Sequence, residues 1–190
     1  MNAQTQTVHQ LLVDPILQWL AATVLALLFA GAAYGKLRDL SGFRFVLSSY
    51  ELLPESTVGV VAVALPIVEL LLTIALCMPA TWSISPWLAL ALLGTYAGAM
   101  SVNLLRGRTH LDCGCMGAGH KALSPWLVVR NLCVMVLPVV LLLPVVPREL
   151  VWFDGVTLLF SVAALALIYR LGDQLIGNRT LQQEWLNSHG

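Results

Sequence analysis

The chain is 190 residues long, 58% hydrophobic and only 11% charged, against about 25% charged residues in a soluble domain. That balance excludes a water-soluble fold and makes this a membrane protein. Ten basic and ten acidic residues cancel to zero net charge, so no long-range attraction supports a nucleic-acid partner.

A hydrocarbon core about 30 Å thick asks for about 20 apolar residues per helix. Pro15 to Gly35 is the first stretch that meets this. The small residues of "FAGAA" resemble a cleavage site, but no Lys or Arg precedes Lys36. A secretory signal lacks its basic segment there, and a retained helix is expected. Next, "LRDLSGFRFVLSSYELLPES" spaces Phe43, Phe45, Val46, Tyr50 and Leu52 helically among charges, which predicts an amphipathic interfacial helix ended by Pro54. Further spans are expected at Val58 to Met78, Pro86 to Leu105 and Trp126 to Val146. A fifth runs from Val156 to about Leu175, although Arg170 and Asp173 interrupt its inner end. Trp82, Trp87, Trp126 and Trp152 fall near span ends and read as headgroup anchors. The expected fold is an all-α, polytopic transmembrane helix bundle: one domain over residues 1–176, then a short polar tail over 177–190.

Orientation follows from the basic residues, which are held on the cytoplasmic side. Nine of the ten lie near the ends that would share one face, and only Arg148 lies on the other. The amino terminus is therefore expected outside and the carboxyl terminus in the cytoplasm.

Glu69 falls mid-span within "LPIVELLL", where a charge costs about 2.5–3.5 kcal/mol on insertion scales and needs a partner or a proton. Arg130, a turn and a half into span four, is the expected partner; the alternative is a protonated Glu69 packed alone. Pro66, Pro138 and Pro144 are expected to kink their helices, with Asn103 and Asn131 satisfying freed groups across helices. Glu69, Asn103, Arg130 and Asn131 would then form one intramembrane polar cluster.

The stretch "RGRTHLDCGCMGAGHK" sets Cys113 and Cys115 one residue apart in a polar, glycine-rich loop. Three readings compete: a metal site with His110 or His120, a redox pair, or two small turn residues. Structural zinc sites space their cysteines by two to four residues, so no metal is expected. Gly114 lets the chain fold until the sulfurs approach, and the small strained ring that results would be readily exchanged. Asp112 would raise the thiol pKa values, whereas Arg106, Arg108 and Lys121 would lower them. Cys113 and Cys115 are the candidate catalytic residues, and Cys133 is a candidate resolving thiol. Cys77, near the outer end of span two, reads as structural. No phosphate loop, nucleophile elbow or C-x-x-C-H is present, and no cofactor is expected.

The ordered set "YGKLRDLSGF", "YELLP", "LPIVELLL", "NLLRGRTHLDCGCMG" and "LVVRN" resembles the methylamine utilization protein MauE family of DoxX-like membrane proteins. The resemblance runs from about Tyr34 to Asn131, with "DCGC" followed by "RN" its most specific part. It implies a role in processing, export or disulfide formation of the small subunit of methylamine dehydrogenase, a periplasmic quinoprotein. It also implies a thioredoxin-like partner, MauD, and a bacterial inner-membrane location. A periplasmic client conflicts with a cytoplasmic cysteine pair; a relay across the bundle, a re-entrant loop or an inverted topology would each reconcile them. Two other readings stand beside thiol exchange: a non-enzymatic assembly or export scaffold with structural cysteines, and a small transport or quinone-binding subunit built around Glu69.

Overall fold

The computed structural model describes residues 12–108, 111 and 123–168, and among these the regular structure is helical apart from one isolated bridge. Four helical stretches are long and apolar enough to cross a membrane. They fit a multi-pass membrane protein. The chain divides after Arg148 into two compact units, each taken by itself below.

Helix α1 covers Pro15–Arg38. It starts where Asp14 accepts the Ile16 N–H at 2.9 Å and Pro15 supplies a preset φ at the first position. It runs through Gly35, so Lys36 and Arg38 belong to its last turn rather than to a following loop. Asp39 ends α1 and opens α2, Leu40–Ser49, by accepting the Gly42 N–H and the Ser41 hydroxyl, each at 2.9 Å. Those bonds hold its carboxyl below the ordinary range, the Gly42 amide contributing most. The amphipathic reading of α2 holds: Phe43, Val46 and Tyr50 are buried, while Phe45 faces outward at 74% exposure. Its end differs from expectation. The helix stops before Glu51, whose φ of 49° is left-handed, and Pro54 instead precedes α3.

Helix α3 spans Glu55–Leu76 and runs through Pro66. At its end Thr81 Oγ1 donates to the carbonyls of Ala75 and, at 2.7 Å, Met78. Trp82 Nε1 donates to the Leu76 carbonyl at 3.0 Å, and its ring meets Trp19 edge-on at 5.2 Å. Trp82 is therefore a helix-end latch rather than the headgroup anchor expected of it. Trp87 and Trp126, at 61% and 53% exposure, keep the anchor's placement. Helix α4 is Ser85–Leu105. The fourth stretch is two helices, α5 at Pro125–Val134 and α6 at Val136–Leu142. They part at Met135 because Pro138 has no N–H for the Val134 carbonyl and crowds that turn. The stretch ends at Leu142 rather than Val146, so Pro144 lies beyond the helix and kinks nothing.

Small residues line the face that α1 buries: Ala21, Ala22, Ala26 and Ala33 alternate with Leu25 and Phe29 at helical spacing. With lipid outside, close approach of backbones replaces the hydrophobic drive, and alanines permit it. Leu25, Phe29, Leu72, Leu76, Ala89, Leu93 and Leu141 join α1, α3, α4 and α6 in one core. Gln18, also buried in that face, donates to the carbonyls of Leu143 at 2.8 Å and Leu141 at 3.3 Å, which the end of α6 leaves open. Beside it Val13 and Val145 form a parallel bridge, and Arg148 reaches Asp14 at 3.0 Å.

In the second unit, helix α7 covers Trp152–Ile168. Asp154 accepts the Val151 N–H at 2.9 Å, closing its first turn. The expected fifth span thus begins four residues earlier than Val156, and its continuation past residue 168 lies outside the described residues.

Candidate functional site

Two buried stripes converge on one charged pair. Along α3 the buried positions are Val58, Ala62, Pro66, Glu69, Leu72 and Leu76, so helical periodicity alone carries Glu69 into the bundle. Along α1 the stripe Phe29, Ala33, Lys36 does the same for a lysine. Lys36 Nζ lies 2.5 Å from Glu69 Oε1, with the side chains 1% and 0% exposed. From α4 the Tyr96 hydroxyl donates to the same oxygen at 2.5 Å. The Lys36 ammonium also sits 5.1 Å from the Tyr96 ring centroid and 5.4 Å from that of Phe43, distances at which the ring faces attract a cation. Glu69 Oε2 is buried and accepts no hydrogen bond among the described residues. The result is a carboxylate with one oxygen held by two donors and the other an open acceptor among the described residues, in a mostly apolar interior.

This corrects the expected pairing of Glu69 with Arg130. The structure gives Glu69 a lysine and a tyrosine, while Arg130 is half-buried on α5. Asn103 continues the buried stripe of α4 two turns beyond Tyr96, about 10 Å along the axis. It donates to the Ala99 carbonyl of its own helix at 3.1 Å rather than across helices. Asn131 is buried on α5. Asn103 Oδ1 and Asn131 Nδ2, an acceptor and a donor, make no hydrogen bond among the described residues. Sequence reasoning missed both partners of Glu69. Lys36 reads as a basic residue at a membrane face although it continues the buried stripe of α1, whereas Tyr96 is half-buried beside the stripe of α4 and carries no comparable signal.

Beside the triad, α2, α3 and α4 enclose a pocket of about 250 Å³. Lys36 and Tyr96 lie in its lining, and Phe43, Tyr50, Leu65 and Met100 give it apolar walls. Tyr50, Val46 and Met100 also pack with Leu123 and Leu127, and Leu111 lies against them. Leu123 N–H donates to the Leu111 carbonyl at 2.8 Å, which joins the two ends of the segment carrying the cysteine pair. Arg108, just before that stem, reaches Glu51 at 2.5 Å and holds its carboxyl below the ordinary range through the hydrogen bond and the guanidinium charge.

Cys113 and Cys115 lie outside the described residues, as do His110 and His120. Cys77 closes α3 and Cys133 sits on α5; both are free thiols and both are exposed on the bundle surface. Among the described residues no group of three His, Cys, Asp or Glu side chains could hold a metal ion.

The family model described as methylamine utilisation protein MauE matches residues 14–144, a range that takes in all four membrane-length stretches, the triad and the cysteine segment. A MauE protein of Paracoccus denitrificans is 37% identical over 176 residues, covering 90% of this chain and 93% of that relative. One from Methylophilus methylotrophus is 34% identical over 169 residues, covering 86% and 88%. No solved structure matches the chain. With a family match over most of its length and relatives aligned almost end to end, the chain belongs to the MauE family.

Proposed function

We propose that this protein is an inner-membrane maturation factor for the small subunit of periplasmic methylamine dehydrogenase. It acts by thiol-disulfide exchange between the Cys113–Cys115 pair and a thioredoxin-like partner of the MauD type. Family membership supports the methylamine system, and the four apolar stretches support a membrane setting. The observation that carries the thiol reading is the stem. The Leu123-to-Leu111 hydrogen bond, set on the Val46, Tyr50 and Met100 cluster, anchors both ends of the cysteine segment on the bundle. A thiolate of the pair attacks a partner disulfide sulfur and releases one partner thiolate; the second cysteine then resolves the mixed disulfide, leaving the pair oxidised and the partner reduced, or the reverse. Cys133, on α5, is the candidate resolving thiol should the mixed disulfide outlive that step.

The test is replacement of both Cys113 and Cys115 by Ser. Cells carrying that variant on methylamine should lose the correctly disulfide-bonded small subunit while its transcript is unchanged. Replacing one cysteine alone should trap a reductant-sensitive complex with the thioredoxin-like partner. Normal growth and small-subunit levels in the double variant would sink thiol exchange and leave an assembly scaffold in its place.

A further inference from the structure

We draw no further inference here: the strongest candidate, the exposed small-residue face of α4 made by Ala91, Thr95 and Gly98, is an unpartnered helix surface, and nothing in the structure shows what covers it.

Discussion

Lys36 and Glu69 stand or fall together. Truncating Lys36→Met leaves a buried carboxylate without its cation and a Tyr96 hydroxyl donating to an uncompensated charge, a loss of about 3–5 kcal/mol. Glu69→Gln should cost less, because a carbonyl oxygen remains for both donors. The combined Lys36→Met/Glu69→Gln change removes both charges and should recover most of the single loss. Denaturant unfolding of the four proteins in micelles checks this, and additive losses would refute the coupling. Arg130→Ala should add simply to Glu69→Gln, because the geometry gives Glu69 other partners. From sequence, the cost of Glu69 in hydrocarbon was plain but its partner was not. A lysine one residue beyond an expected helix end reads as a charge reaching for water. Only the extension of α1 to Arg38 turns it inward.

Elements were legible wherever apolar length decides, since lipid leaves the backbone no choice but a helix. The first three spans begin and end within three residues of expectation. The misses have local causes that apolar length does not encode: a left-handed Glu51 cut α2 short, and Pro138 split the fourth stretch. The connection between α4 and α5 is where charge contributes. Glu51 is depressed by Arg108, so its part in tethering that connection is present above the ordinary carboxylate range and is lost as pH falls through the lowered value. Both side chains are solvent-accessible, so the effect is modest and weakens with salt. Hydrogen exchange at the Leu123 amide should rise on acidification relative to Glu51→Gln measured at the same pH. Identical ratios from neutral to acid pH would show that the tether does not hold the stem.

For the whole molecule, the ion pairs sort the helix ends into two faces. Asp14 with Arg148 marks the face where α1 starts and α6 ends; Glu51 with Arg108 marks the other. Lys36, neutralised inside the bundle, no longer counts toward orientation, which leaves eight basic residues against Arg148. The inequality keeps its direction. Reporter fusions after Pro79 and after Pro147 should read as external and one after Arg108 as internal. A cytoplasmic signal from the Pro79 fusion would invert the protein.

The clamp formed by Gln18, Val13 and Asp14 on residues 141 to 148 also sets an order of manufacture. Ribosomes deliver α1 first, and its donors have no counterpart until the fourth stretch has been synthesised. The Lys36–Glu69–Tyr96 triad, by contrast, is complete as soon as α4 emerges. A nascent chain can therefore neutralise its two most costly side chains three helices into the process, while its open end stays unlatched to admit the last. Birth of the charged centre precedes closure of the bundle, so a chain truncated after Leu105 keeps the former and lacks the latter.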